Sequence, residues 1–281
     1  MKTIVSRLCQ LITGRTPASK GKYSPPINQM SEFAQKLVAA GWIGEDFQRV
    51  IESKGNVLAD DLLYVNRNGI YVPNKVQKAA KEIMGKNVLG IEDAIEHFKV
   101  RPSRSQLAAL SEVPYSESKL RACKDTHVLV ADFQLSIVQM IDNKLFRHLI
   151  DDDTQKLEDS WLKKHGFAWD EGATACWRLV RIEPEDDSFN KSWVDQLSMF
   201  GSENDPAPVR VAIYAAIGHF LKTGERMFKK GMSRCAELDM NGRRITVGPF
   251  KEDGLRVQAW WDDVRYYETG AASVCRAMVA S

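Results

Sequence analysis

The chain has 281 residues, 44% of them hydrophobic and 27% charged, and its formal net charge is +2. This is the composition of an ordinary globular protein with enough apolar side chains for a packed core, and so small a charge singles out no nucleic-acid partner. No segment approaches the ~20 consecutive apolar residues that a membrane-spanning helix requires, so we expect no membrane insertion.

The first apolar stretch is interrupted by Arg7 and Gln10 before it reaches the length of a signal-peptide core, so we expect a cytoplasmic protein. The cysteines are odd in number, widely spaced and without a C-x-x-C pair; they are Cys9, Cys123, Cys176, Cys235 and Cys275. We therefore expect buried free thiols in a reducing compartment, with no disulfide.

Residues 1–111 are predicted to form a small, mainly helical N-terminal region. Residues 14–28 are basic and rich in Gly, Pro and Ser, which is typical of an irregular tether. Apolar spacing predicts short helices, the first capped by Ser31 and ending at Gly41, the others at 45–53, 58–65, 74–84, 91–98 and 103–111. The lysines here favour a solvent-facing surface over a nucleic-acid site, and the role of the region stays open.

From about residue 112 the pattern changes to a mixture of strands and helices. Alternating segments rich in β-branched residues predict strands at 127–138, 176–182, 235–238 and 244–247, the last two joined by a turn at 239–242. A continuous apolar stripe predicts one long helix at 208–228. The sequence therefore predicts an α+β domain over residues 112–281.

The segment 247–276 interleaves residues of two kinds. One kind is small, apolar or able to pair internally, as a scaffold requires: Gly254, Leu255, Val257, Trp261, Asp262, Asp263, Arg265, Gly270, Ala272 and Ser273. The other kind shares no common chemistry: Arg256, Gln258, Ala259, Trp260, Val264, Tyr266, Tyr267 and Glu268. Tyr and Trp provide a large contact area at low entropic cost and are enriched in binding sites. This predicts a ligand-binding surface between Arg256 and Glu268.

This layout resembles the hypervariable region of variable proteins of diversity-generating retroelements, whose C-terminal domain has a C-type-lectin-like fold that formylglycine-generating enzymes share. In that family, reverse transcription misreads template adenines, so selected codons vary within a fixed frame. The resemblance implies a C-type-lectin-like domain with an irregular antiparallel sheet and a variable region at about 254–270. The eight dissimilar side chains would then bind the ligand, on a scaffold formed by Gly254, Trp261, Asp262, Asp263, Arg265 and Gly270.

The resemblance further implies a binder and not an enzyme, with no catalytic residue, cofactor or metal. Its partner would be a macromolecule, a protein or a glycan, because a large rigid patch suits such a ligand better than a small metabolite. The sequence does not name that partner.

The adjacent residues Trp260 and Trp261 give a more specific expectation of which side chains face the ligand. Neighbouring residues on a strand face opposite ways, so one indole is expected in the core and the other on the surface. The resemblance makes Trp261 the buried one. The alternative is a terminal strand pair with an aromatic core, in which Tyr266 and Tyr267 would be buried.

Two other functions could use the same part of the chain. Asp262 and Asp263 could bind calcium, as in sugar-binding C-type lectins, but calcium requires six or more oxygen ligands; we expect these acids to pair with Arg265 and fix the loop. A formylglycine-generating type of oxidoreductase would need reactive thiols at Cys235 and Cys275, which we expect to be inert and buried.

A zinc site is also considered at Cys123 and His127, which straddle a turn. Tetrahedral zinc requires two further ligands, and the sequence does not reveal them.

Overall fold

The computed structural model describes residues 27–53, 65, 71–141, 146–151, 154, 166–169 and 174–277. The chain divides into two compact units, Met1–Ile70 and Tyr71–Ser281. The predicted tether at 14–28 and helix at 58–65 lie almost entirely outside the described residues.

Two helices are described in the first unit, α1 (Ile27–Ala39) and α2 (Gly44–Glu52). The first helix begins ahead of Ser31, so the prediction that Ser31 caps it is wrong. It ends before Gly41, whose φ of 98° is a backbone conformation that favours glycine. Phe47 is the buried side chain of α2.

The second unit contains most of the described elements. Its helices are α3 (Lys75–Met84), α4 (Ile91–Phe98), α5 (Arg104–Ala109), α6 (Glu117–Cys123), α7 (Ile137–Ile141), α8 (Gly166–Trp169), α9 (Trp193–Leu197) and α10 (Val209–Thr223). Its strands are β1 (Val88–Leu89), β2 (His127–Asp132), β3 (Cys176–Arg181), β4 (Asn204–Pro206), β5 (Met232–Leu238), β6 (Arg244–Lys251), β7 (Gly254–Trp260), β8 (Thr269–Ala271) and β9 (Ser273–Cys275). Short 3-10 turns lie at Gly85–Asn87, Arg147–Leu149 and Asp186–Ser188.

The strands form two mixed sheets. A five-stranded sheet has the order β1-β2-β3-β9-β4, and a four-stranded sheet has the order β7-β6-β5-β8. Neighbouring strands are antiparallel except for β1 with β2 and β5 with β8. The prediction of an α+β architecture is confirmed.

Helix α10 is the centre of the main core. It is largely apolar, and its residues from Val209 to His219 are all buried, Arg210 and His219 among them. Tyr214 stacks on Phe98 with ring centroids 4.3 Å apart, and its hydroxyl donates to the Ala131 carbonyl at 3.1 Å. Among the described residues, no helix is both long and apolar enough to cross a membrane.

A second core lies on the opposite face of β2 and β3. Strand alternation sends Val128 and Val130 to the main core and Leu129 to this second one. Its other side is formed by buried residues of helices α3 to α6 and the turns between them, among them Ala80, Met84, Ile91, Leu110 and Leu120. Residues 71–111 therefore pack within the same compact unit as the sheets, and this unit begins at Tyr71 rather than at residue 112.

We predict that Gly218→Ala destabilises the protein. Alanine normally favours a helix over glycine, but a Cβ at Gly218 would lie 2.3 Å from Leu89 Cδ2. The expected loss is about 1–3 kcal/mol of unfolding free energy, measured by urea denaturation. Gly166→Ala is the control, since a Cβ there meets nothing within 4 Å. Equal stability of the two variants would show that α10 does not pack tightly on β1.

Candidate binding surface

Strand β7 divides the predicted ligand-binding side chains between two faces. Leu255 and Val257 are buried in the main core, and Ala259 packs against the same core. Ala259 is a predicted ligand-binding residue, but alternation along the strand turns its side chain inward. Gln258 and Trp260 are half-buried on the opposite face.

The opposite face of the four-stranded sheet is lined by polar side chains. Arg234 of β5 pairs in register with Thr246 of β6, which in turn pairs with Gln258 of β7. Arg244 of β6 lies opposite Trp260. Two arginines therefore stand on the side of the sheet where residues 261–268, here called the display segment, leave β7.

Arg234 holds the display segment by its main chain. Its side chain is fully buried, and its guanidinium donates to the carbonyl oxygens of Trp261, at 3.4 Å, and Val264. It also donates to the Lys191 carbonyl at 2.9 Å and to Gln196 Oε1 at 3.1 Å. Burial lowers the pKa of the Arg234 guanidinium, while the nearby carboxylates of Asp262 and Asp263 oppose that shift and, with these acceptors, stabilise the cation.

Backbone amides anchor three further carbonyls of the segment. Trp193 N–H donates to the Asp262 carbonyl at 2.8 Å, and Met232 N–H donates to the Glu268 carbonyl at 2.9 Å. The Tyr266 carbonyl accepts from the N–H groups of Asn190, at 3.2 Å, and Thr269, at 3.1 Å. The path of the segment is thus fixed by groups that do not depend on its own side chains, apart from Asp262.

Asp262 is the side chain that fixes the segment. Arg244 binds it in a bidentate manner, at 3.0 and 2.9 Å, and the guanidinium stacks over the Trp193 ring at 4.3 Å. The predicted clamp exists, but its arginine is Arg244. The prediction that Arg265 provides it is wrong, since Arg265 is exposed and its nearest acid is Asp195, at 3.3 Å.

The other side chains of the segment point towards solvent. Trp261 is 52% exposed and Tyr267 is 72% exposed, with Tyr266 at 37%. The prediction that Trp261 is buried is wrong, because β7 ends at Trp260 and the alternation that would turn the next residue inward ends with it. Glu268 is also exposed, as predicted for a ligand-binding residue, and so is Asp263, which we had placed in the scaffold.

Three aromatic rings form a row along this surface. Trp260 and Tyr266 have ring centroids 5.1 Å apart, and Tyr266 stacks on Tyr267 at 5.8 Å. Val264, which is half-buried, belongs to the same segment. Because Tyr266 and Tyr267 are not in the core, the alternative of a terminal strand pair with an aromatic core is wrong.

Two glycines allow close backbone approaches beneath this surface. Gly254 has a φ of 122°, and a Cβ there would lie 2.5 Å from the Asp151 amide nitrogen. A Cβ at Gly270 would lie 2.6 Å from Pro184 Cβ. Arg256, predicted to bind ligand, donates to the buried Asp151 carboxylate at 2.7 Å, which ties β7 to the chain beside it.

A second constellation lies at the far end of β9. Cys123, His127 and Cys275 are buried, and one potential ligand atom of each lies within 4.8 Å of the others. Cys275 and His127 lie beside Cys123 and lower the pKa of its thiol, whereas Cys123 and burial raise the pKa of Cys275. The sequence placed Cys123 and His127 together but gave no sign that Cys275 joins them, because more than a hundred residues separate it from the pair.

The thiols proposed for an oxidoreductase are not brought together. Cys235 is fully buried in the main core on β5, and burial raises its pKa. Cys275 lies in the other sheet. For calcium, the part of the chain that the structure describes contains no cluster of three carboxylates of the required spacing around Asp262 and Asp263.

We predict that Arg244 and Asp262 are energetically coupled. A double-mutant cycle with Arg244→Met and Asp262→Ala should give a coupling of about 1–2 kcal/mol in unfolding free energy, since the pair is bidentate and largely shielded. The matched control is Arg265 with Asp195, an exposed pair expected to give a much smaller coupling because solvent screens it. Equal couplings would show that the Arg244 contact does not anchor the segment.

The chain matches no protein-family model, no curated protein and no solved structure. Its function is therefore inferred from its own residues and their arrangement.

Proposed function

We propose that the protein is a ligand-binding variable protein of the kind that diversity-generating retroelements diversify, with a C-type-lectin-like domain. One observation carries the proposal: the main chain of residues 261–268 is anchored by buried groups outside the segment, while most of its side chains face solvent. In such an arrangement the side chains can change and the fold persists.

The exposed side chains suit a macromolecular ligand. Trp261, Tyr266 and Tyr267 provide rigid aromatic area, and Asp263, Arg265 and Glu268 provide charge of both signs around it. Anchoring the segment before binding reduces the entropy lost when a partner orders it. A protein or a glycan is the partner class we propose; nucleic acid is disfavoured because the segment carries acids as well as its one arginine.

The genetic code is compatible with the proposal. From a template AAC codon, substitution at both adenines reaches Arg, Ala, Val, Tyr and Asp, and never a stop. Val264, Tyr266 and Tyr267 satisfy this rule, and so do Asp263 and Arg265, which the structure adds to the exposed set. Codons for Gln258, Trp260, Trp261 and Glu268 end in a purine, so these residues require another template codon or are fixed.

The oxidoreductase alternative has less support. That chemistry would require thiols in one reactive centre, whereas Cys235 and Cys275 lie in different sheets. Recognition without catalysis is the function that we propose.

We predict that the display side chains can be replaced without loss of stability. The triple variant Tyr266→Ala, Tyr267→Ala, Glu268→Ala should keep its unfolding free energy within about 1 kcal/mol, since exposed substitutions cost little. Arg234→Met should lose on the order of 3 kcal/mol or more, because it leaves buried carbonyls unpaired. Urea denaturation measures both.

A selection experiment tests through binding the same division between the anchoring and the exposed side chains. One library randomises the six exposed positions Trp261, Asp263, Arg265, Tyr266, Tyr267 and Glu268, and a control library randomises Arg234, Arg244 and Asp262. Selection against a panel of unrelated proteins should yield folded binders from the first and few folded members from the second. Similar folding failure in both libraries would contradict the division between anchor and display.

The gene provides an independent prediction. A near-copy of the segment encoding residues 254–276 should lie close to the gene, beside a reverse transcriptase gene, and should differ almost only where the copy has adenine. Sequencing of the complete locus decides it. A locus with neither element, and no related copy elsewhere in the genome, would refute diversification by a retroelement. The binding surface would then lack its proposed origin.

A further inference from the structure

The cluster of Cys123, His127 and Cys275 joins three separate elements. Cys123 is the last residue of α6, His127 the first of β2, and Cys275 the last of β9. All three side chains are buried, at 6%, 6% and 4% exposure. Two thiols and an imidazole thus converge beside the apolar residues of the second core, to which Cys123 and Cys275 belong.

The side chains present are those that zinc selects. Thiolate and imidazole are its usual ligands, with Zn–S near 2.3 Å and Zn–N near 2.0–2.1 Å. In a tetrahedral arrangement these bonds place the ligand atoms roughly 3.5–3.8 Å apart. The ligand atoms here lie within 4.8 Å of one another, so small side-chain rotations would close the site.

Two neighbouring side chains affect the cluster: a hydroxyl group that orients the imidazole and an ammonium group close to the thiols. The His127 Nδ1 atom is hydrogen-bonded to Thr126 Oγ1 at 2.8 Å, which fixes the ring and leaves Nε2 as the nitrogen for a metal. The Lys119 ammonium interacts electrostatically with both thiols. Each thiol must lose its proton to bind a metal, and a nearby cation offsets part of the cost that burial adds.

We propose that Cys123, His127 and Cys275 bind one zinc ion, with a solvent molecule as the fourth ligand. The ion cross-links α6 and the start of β2 to the end of β9, and so holds the C-terminal strand in the five-stranded sheet. This inference rests on the cluster alone and is independent of the proposed function.

The test uses the full chain, prepared metal-free under reductant and titrated anaerobically with Co²⁺ as a spectroscopic probe, then with Zn²⁺. We expect one equivalent of Co²⁺ with thiolate charge-transfer and tetrahedral ligand-field absorption, displaced by Zn²⁺. Competition with a chromophoric chelator should give an apparent Kd for zinc on the order of nanomolar or tighter. Zinc should raise the melting temperature by about 5 °C or more.

Substitutions distinguish metal binding at this cluster from binding at the other cysteines and histidines. Cys123→Ser, Cys275→Ser and His127→Gln should each abolish the stoichiometric Co²⁺ spectrum or weaken zinc binding at least a hundredfold. The controls Cys9→Ser, Cys176→Ser and His148→Gln should keep one equivalent and the same spectrum. Because a core variant could fail to fold, the unaltered chain is also treated with a mild thiol oxidant, and peptide mass spectrometry should find a Cys123–Cys275 disulfide without zinc and its suppression with zinc.

Several results would overturn the proposal. Uptake only at millimolar metal, a spectrum unchanged in all three cluster variants, or oxidation of Cys123 and Cys275 at the same rate with and without zinc would each do so. Stoichiometric Cu⁺ binding without Zn²⁺ or Co²⁺ binding would replace zinc by a different metal site and would equally refute it.

Discussion

The candidate binding surface depends on one buried cation, the guanidinium of Arg234. Removing an arginine from water is costly unless every displaced hydration contact finds a substitute. Here the two terminal nitrogens find substitutes in the carbonyl oxygens of Lys191, Trp261 and Val264 and the amide oxygen of Gln196, whereas Nε is buried without a hydrogen-bond partner, so part of that cost remains. Those oxygens belong to two separate stretches of chain, so satisfying the cation forces both stretches onto the same face of the four-stranded sheet.

Other elements of the second unit position the Arg234 guanidinium on the face of the sheet opposite the core. Helix α10 fills the core face of the sheet, which leaves the opposite face for Arg234 and Arg244. Trp193 supplies a flat apolar surface under Arg244 and an amide for the Asp262 carbonyl. The surface is therefore assembled from β5, β6 and α9, although most of the residues exposed on it come from one short segment.

Local patterns were sufficient for much of the fold. The apolar period of α10 and the alternation of β2, β3 and β6 act within a few residues, and they predicted where those elements begin; β2 ends at Asp132 and α10 at Thr223, both earlier than expected. The side chains that anchor the surface could not be found this way, because Arg234 and Arg244 lie in strands where a sequence pattern does not distinguish a buried arginine from a solvated one. The error at Trp261 has the same origin, since only the tertiary path shows where β7 ends.

Anchoring through carbonyls has a consequence for how this surface can evolve. A carbonyl is present whatever the side chain, but its position depends on the number of residues before it. The contacts at Trp261, Val264, Tyr266 and Glu268 therefore tolerate exchange of the exposed side chains, but they do not tolerate a change in the number of residues between them. Variation by substitution is compatible with this architecture, whereas insertion or deletion within residues 261–268 would move every later oxygen away from its donor.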